Sequence, residues 1–210
     1  MRKNLLKQLT LALLMTVAVP TLTAQVQVGD ILCEGNAIIS PVNYPSSGAT
    51  AIGVVFYVDQ TGQHGWAVAL EDAGSYEWGC NGSDMLIPNF GDKRQAIYDL
   101  DGYENTRIVR ENCTGNTAFY AVDFESGWYV PAIGQLNYLY GNLVEVNASL
   151  QLTGGTAFGT GPTYWSSTEN SEVLAWTLSS SGELDYFHYN YYGGYRGKAT
   201  SRSVRGVRAF

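Results

Sequence analysis

Histidine, cysteine and charged side chains are scarce in this chain of 210 residues. The sequence has two histidines, three cysteines and only 15% charged residues. It contains no G-x-S-x-G, H-E-x-x-H, phosphate-loop or dinucleotide-binding pattern. Because no motif for nucleophilic, metal or cofactor chemistry is present, the sequence predicts a protein that is not an enzyme and carries no cofactor.

Basic residues are few relative to acidic ones. Twelve Lys and Arg stand against nineteen Asp and Glu, which gives a formal net charge of −7. Nucleic acids and anionic membranes require a basic surface on their protein partners. The charge balance therefore argues against nucleic acid as a partner.

Long hydrophobic runs are absent apart from one near the start. Residues 9–19 are apolar, follow the basic side chains of Arg2, Lys3 and Lys7, and precede small residues that end at Ala24. This order is typical of a cleaved signal peptide, and the run is too short for a comfortable membrane span. We therefore expect a signal peptide at 1–24 and a single domain at 25–210. That domain is exported to the periplasm, the outer surface or the extracellular medium, and it is not an integral membrane protein.

Cys33, Cys80 and Cys113 are the three cysteines. An oxidising compartment favours a disulfide, and an odd number leaves one thiol over. Cys80 and Cys113 both lie in Gly- and Asn-rich surroundings typical of loops, so their pairing is preferred. The alternative is three unpaired, mostly buried thiols.

Periodicity predicts several elements. Residues 51–58 and 65–70 form a β-hairpin pattern around a turn at 59–63, with nearly continuous apolar character that predicts burial on both faces. Residues 71–94 are predicted to be a long loop.

Pro131 is predicted to begin a helix, because apolar residues then recur at three- and four-residue spacing: Ile133, Leu136, Leu139, Tyr140 and Leu143. Short strands are predicted at 164–166, 173–178, 183–192 and 204–210.

An acidic stretch before the predicted helix has two interpretations. Asp99, Asp101 and Glu104 offer oxygen ligands of the kind that calcium prefers. Asn105 and Thr106, however, are typical of a short helix cap. A calcium site is the weaker of the two alternatives.

The C-terminal part carries an ordered set of short motifs. They are Gly127-Trp128-Tyr129-Val130-Pro131, Gly134-Gln135-Leu136, Tyr164-Trp165-Ser166-Ser167-Thr168-Glu169, Ala175-Trp176 and Val204-Arg205-Gly206-Val207-Arg208-Ala209-Phe210. In order and spacing this set resembles the DUF1566 group of exported bacterial, Bacteroidetes-type domains. That group is similar in fold to C-type lectins, formylglycine-generating enzymes and retroelement variable proteins. The resemblance implies an α+β fold, an irregular C-type-lectin-like domain with short antiparallel strands, one or two helices and long loops. It also implies that Trp128, Trp165, Trp176, Arg205 and Arg208 are core and inter-strand anchors.

One segment departs from the alternation expected of a half-buried strand. Aromatic and polar residues occupy both faces of 186–192. The candidate ligand-binding residues are Tyr186, His188, Tyr189, Asn190, Tyr191, Tyr192 and Tyr195. Exposed tyrosines supply a large contact area at low entropic cost. The alternative is a structural aromatic ladder across neighbouring strands. The composition of residues 186–192, which lie before the C-terminal motif, also resembles that of a retroelement variable region.

These observations predict an exported adhesin- or receptor-type domain that recognises a protein or glycan at the cell surface through this aromatic face. One alternative is a structural subunit of a surface appendage. Another is a glycan-active hydrolase, in which two carboxylates act as a catalytic pair. The carboxylates available for that are Glu71, Asp72, Asp123, Glu125 and Glu169.

Overall fold

A computed structural model describes residues 25–159, 161–179 and 195–210, with only the backbone given for Tyr195 and Arg196. The predicted signal peptide at 1–24 lies outside the described residues. So does the predicted strand at 183–192.

The described residues contain ten strands, five helices and three short 3-10 turns. The strands are β1 (Ile31–Cys33), β2 (Ile38–Ile39), β3 (Ala51–Val58), β4 (Gly65–Ala69), β5 (Gly74–Glu77), β6 (Thr163–Ser171), β7 (Leu174–Ser179), β8 (Tyr195–Gly197), β9 (Ser201–Val204) and β10 (Val207–Ala209). The helices are α1 (Tyr44–Ser47), α2 (Lys93–Ala96), α3 (Gly102–Asn112), α4 (Ile133–Gly141) and α5 (Leu143–Thr153). The 3-10 turns are Glu34–Asn36, Ala118–Tyr120 and Phe124–Ser126. This composition confirms the predicted α+β class.

The first sheet has the strand order β10-β4-β3-β1-β2, and all its neighbours are antiparallel. Its centre is the hairpin of β3 and β4, which confirms the strongest prediction from the sequence. Val54, Val55 and Phe56 of β3 are fully buried, as are Ala67 and Val68 of β4. Consecutive residues are buried because helices α4 and α5 cover one face and the start of the described chain covers part of the other.

The second sheet has the order β5-β9-β6-β7-β8, antiparallel except between β6 and β9. The strand predicted at 204–210 is confirmed only at β10, because Val204 is the last residue of β9 and residues 205–206 belong to no strand. Strand β9 pairs with β5 and β6, whereas β10 pairs with β4. The change of sheet occurs at Arg205, whose buried guanidinium binds Asp72 and the Thr156 carbonyl.

Two further boundaries differ from the predictions. The predicted loop at 71–94 contains β5, because residues 74–77 pair with β9, and it ends in α2. The predicted helix begins at Ile133, not at Pro131, because the Pro131 carbonyl accepts a hydrogen bond from the Ser167 amide at 2.8 Å. With α3 and α5, the described chain has three helices of nine or eleven residues, more than the one or two expected.

The disulfide joins Cys80 and Cys113, which confirms the preferred pairing. Their Cα atoms are 5.8 Å apart, within the range that an unstrained bridge spans. The third cysteine, Cys33, is buried in β1 with a free thiol.

Most of the predicted anchors are buried. Trp165 and Trp176 lie in the core, and their indole N–H groups donate to the carbonyls of Tyr76 and Phe90, each at 2.8 Å. Trp128 is half-buried against the second core cluster. Arg208 is also half-buried, and it donates to the Asn36 side chain at the surface. It lies in the middle of β10, an outer strand of the first sheet.

Among the residues that the structure describes, no helix is long and apolar enough to cross a membrane.

Candidate functional site

The predicted aromatic binding face falls on a part of the chain that is not described. Tyr186, His188, Tyr189, Asn190, Tyr191 and Tyr192 lie outside the described residues, and Tyr195 is described only by its backbone. Tyr195 belongs to β8, where it lies opposite Trp176 of β7. The segment 180–194 therefore links two neighbouring antiparallel strands at the edge of the second sheet.

A separate groove, with a volume of about 560 Å³, lies between α3, β4 and the edge strand β10. We call it the aromatic groove. It is lined by Trp66 of β4, Leu100 and Asp101 before α3, Tyr103 and Glu104 of α3, Gly127 and Tyr129, Gln135 of α4, and Arg208 and Ala209 of β10. Its volume falls within the range of about 300–1,000 Å³ that is usual for small-molecule sites.

Two aromatic side chains of the groove are held rigidly by other rings. Tyr103 stacks on Phe124 with ring centroids 4.9 Å apart and meets Tyr129 edge-on at 5.7 Å, yet it remains 49% exposed. Trp66 stacks on Tyr57 of the neighbouring strand at 4.4 Å. Offset and edge-to-face contacts of this kind restrain a ring beyond the effect of burial alone. The groove therefore presents ordered aromatic surfaces.

A buried polar network fixes the start of α3 against the rest of the fold. The Asp99 carboxylate accepts hydrogen bonds from Asn105 at 3.0 Å and from Thr168 of β6 at 2.7 Å. The Thr168 hydroxyl in turn accepts from the Ile133 amide at 2.8 Å, at the beginning of α4. Since all three side chains are buried, each must be satisfied within the fold. The network thus joins α3, α4 and β6 beneath the groove.

Glycine allows the start of α3 to approach the segment that precedes α4 closely. A Cβ atom on Gly102 would lie 2.7 Å from the Ala132 nitrogen and 2.9 Å from the Tyr129 ring. This approach brings Gln135 to the floor of the groove, where its side chain accepts from the Ala132 amide and donates to the Tyr129 hydroxyl, each at 3.0 Å. Burial raises the pKa of Tyr129 to about 12, so its hydroxyl stays protonated at neutral pH.

Charged groups lie along the rim. Glu104 binds Arg107 at 2.6 Å, and Arg107 also reaches Glu111 at 2.5 Å. The hydrogen bond from Arg107 lowers the pKa of Glu104, so this carboxylate is ionised at neutral pH. Asp101 lies exposed beside it, and its carboxylate has no hydrogen-bond partner among the described residues. Arg208 supplies a positive charge on the β10 side.

The acidic stretch leads into helix α3, as the second interpretation predicts, but the predicted cap residues are not at the start of the helix. Helix α3 begins at Gly102, so Asn105 and Thr106 lie inside it and not at its cap. Asp99 is satisfied by protein donors, and Glu104 by Arg107. No group of three or more His, Cys, Asp or Glu side chains in the described parts of the chain is arranged to hold a metal ion.

The carboxylates considered for hydrolysis each have a structural partner. Glu71 binds Thr156, Asp72 binds Arg205 and Tyr164, and Asp123 caps the turn at Ser126. Glu125 approaches Arg110 at 3.9 Å, and Glu169 forms a buried ion pair with Lys198. Each of the five carboxylates therefore has a contact within the fold.

Trp66, Tyr103 and Gln135 are groove residues that the sequence did not identify as functional. Trp66 lies in the predicted hairpin and Gln135 in the predicted helix, so both were expected to pack within the fold. The available signal was Tyr103 between Asp101 and Glu104, an aromatic residue inside an acidic stretch. It gave no indication that β10, more than one hundred residues later, completes the groove.

Comparison with known proteins gives a match in structure only. No family model matches the sequence, and no curated protein matches it. Among solved structures, the fold is similar to that of a fimbrial protein from Bacteroides ovatus, with a TM-score of 0.64 and 17% sequence identity. The match covers 88% of this chain and 49% of that protein, so the chain spans about half the length of its structural neighbour.

Proposed function

We propose that this protein is an exported structural subunit of a cell-surface appendage. The observation that carries the proposal is the fold shared with a fimbrial protein over 88% of the chain. The Cys80–Cys113 disulfide supports export, because such bonds persist in oxidising compartments. A structural subunit is the first alternative that the sequence gives to a ligand-binding domain. The fold match favours the structural subunit over the ligand-binding domain.

The sheets offer surfaces for contacts between copies. Among the described residues, β2 and β10 are the outer strands of the first sheet, and β5 and β8 are those of the second. Val207 of β10 and Glu77 of β5 already form isolated bridges with Tyr129 and Thr117. An edge strand presents unpaired backbone N–H and C=O groups that can pair with another chain. A fibre forms when copies of a chain join through heterologous contacts that do not close into a ring. In the described part of the chain, the positions of these strands without a bridge are therefore suited to assembly.

Cell fractionation tests the proposal directly. The full chain, with its first 24 residues and a small C-terminal epitope tag, would be produced in its native host, and surface appendages would be removed by mechanical shearing. We expect the tagged chain in the high-molecular-weight sheared fraction, visible along fibres by immunogold electron microscopy. The intact mass of the recovered chain reports whether it begins near Gln25.

A periplasmic marker enzyme serves as the fractionation control, since shearing must leave it with the cells. Recovery of the tagged chain only as a monomer in the periplasmic fraction contradicts a role as an appendage subunit.

A second proposal is ligand recognition through Tyr186, His188, Tyr189, Asn190, Tyr191, Tyr192 and Tyr195. The pairing of β7 with β8 supports it, because both ends of the segment are anchored at a sheet edge. Membership of the DUF1566 group, with its C-type-lectin-like fold, belongs to the same proposal. The proposed ligand is a protein or glycan at the cell surface.

Substitution tests this second role. A variant with Ala at Tyr189, Tyr191 and Tyr192 is expected to lose binding on a surface-protein and glycan array while retaining its circular dichroism spectrum. Tyr98→Ala removes a tyrosine that is 79% exposed elsewhere and serves as the control. An unfolded triple variant means that these rings belong to the core.

A further inference from the structure

We infer that the aromatic groove is a binding site for a neutral oligosaccharide. The inference goes beyond the appendage role and does not depend on residues 180–194. It stands on Tyr103 of α3 and Asp101 of the loop before α3, in a groove that Trp66 of β4 and Gln135 of α4 also line.

The aromatic residues match the chemistry of a sugar ring. One side of a pyranose ring exposes mainly C–H groups, which pack on the negative face of an aromatic ring. Tyr103 is 49% exposed and is held by stacking on Phe124, so it keeps its orientation without a ligand. Restraint before binding reduces the entropy that is lost when a ligand is bound.

The polar groups match the hydroxyls of a sugar. A carboxylate is an acceptor-only group, and a sugar hydroxyl donates to it readily. The Asp101 carboxylate is exposed beside the rings, with no hydrogen-bond partner among the described residues. Arg208 adds donors on the opposite side. Aromatic surface together with a few fixed polar groups is the usual composition of a small-molecule site.

Charge favours a neutral ligand. Asp101 and the ionised Glu104 line the groove, and Glu104 is bound to Arg107 at its rim. An acidic polysaccharide would be repelled by Asp101. A metal-dependent mode, in which calcium bridges sugar hydroxyls, finds no ligand cluster among the described residues.

Binding to immobilised neutral polysaccharides tests the inference. Cellulose, xylan, mannan and β-1,3-glucan would be probed with the full chain as exported, and soluble hexaoses of the binding polymer would then be titrated by calorimetry. We expect binding to at least one polymer, insensitive to a calcium chelator. Polygalacturonate, an acidic polymer, is expected not to bind.

Matched variants assign the binding to the groove. Tyr103→Ala is expected to weaken binding about tenfold or more, since it removes the stacking surface. Tyr103→Phe keeps the ring and is expected to bind like the unmodified protein. Asp101→Asn is expected to weaken binding several-fold without affecting the fold, because the side chain is exposed and makes no contact that folding requires. Tyr98→Ala changes an exposed tyrosine outside the groove and is expected to have no effect.

Three results would overturn the inference. The first is failure of every neutral polymer to bind while the protein is folded by circular dichroism. The second is undiminished binding by both Tyr103→Ala and Asp101→Asn. The third is binding of an extended peptide along β10 in place of any carbohydrate. None of these results bears on appendage assembly, which the shearing experiment measures separately.

Discussion

Lys198 and Glu169 form an ion pair whose side chains are fully shielded from water. The Lys198 ammonium also donates to the Ser83 carbonyl and lies 4.4 Å from the centre of the Trp78 ring. Glu169 accepts a further hydrogen bond from the Met85 amide. The pair therefore ties the loop around residues 83–85 to β6 and to the chain after β8. Burial raises the pKa of Glu169, and Lys198 opposes that shift.

Removing only one partner of this pair should be costly. Lys198→Met leaves a buried carboxylate without its cation, and we expect the free energy of unfolding to fall by about 3–5 kcal/mol at pH 7. The pKa of Glu169 then rises further, so the loss should be smaller at acidic pH and grow as pH rises and the carboxylate ionises. Urea unfolding between pH 4 and pH 8 measures both effects.

The double variant Lys198→Met with Glu169→Gln is the control, because it leaves no buried charge and should recover most of the loss. A double variant as unstable as Lys198→Met alone would show that lost packing, not the unpaired charge, is responsible.

At the scale of secondary-structure elements, the starts of α3 and α4 each pack on the segment that precedes the other helix, and glycine makes both contacts possible. Gly102 opens α3 where the Ala132 nitrogen and the Tyr129 ring approach most closely. Gly134 plays the same part on α4, since the carbonyl oxygens of Ile97 and Asp99 pack directly against it. A glycine that lowers helix propensity is retained here because a neighbouring backbone occupies the place of its side chain.

Two alanine substitutions distinguish the effect of close packing at a glycine from the effect of its low helix propensity. Gly102→Ala is expected to lower the free energy of unfolding by about 1–3 kcal/mol, because the added methyl group forces the start of α3 away from Tyr129 and Ala132. Gly141→Ala lies at the end of α4 with nothing within 4 Å, and it should leave stability unchanged or raise it by up to about 1 kcal/mol. Urea unfolding compares the two, and a similar effect of both would contradict the close approach.

The whole molecule is cross-linked by Cys80–Cys113, which closes a loop across a sequence separation of 33 residues. Both cysteines pack at the second core cluster, which also includes Trp78, Phe119 and Trp165. The link restricts the unfolded chain over the segment that contains α2 and α3. The β3–β4 hairpin and the C-terminal strands lie outside the closed loop, so they should fold without it.

Loss of the disulfide should therefore lower global stability without changing the fold. The chain-entropy model gives a decrease of about 3–4 kcal/mol for a loop of this length. Urea unfolding with and without a reductant measures it, and a Cys80→Ala, Cys113→Ala variant is the control, because reductant should no longer affect it. Cys33 should react with a thiol reagent only after unfolding, since it is buried. A reductant effect on the variant would point to another cause.

The family resemblance implied the α+β class, and local patterns in the sequence were sufficient for the β3–β4 hairpin, the α4 helix and the preferred disulfide. Each depends on spacing between near neighbours or on the composition around a residue, and such signals survive in a single chain. The aromatic groove, the split of the C-terminal segment between two sheets and the Asp99–Thr168 bond had no such signal. Asp99 and Thr168 are 69 positions apart, and Lys198 and Glu169 are 29 apart. Contacts of this kind arise only when distant elements pack, because the pairing is selected by the burial of whole faces and not by local preference.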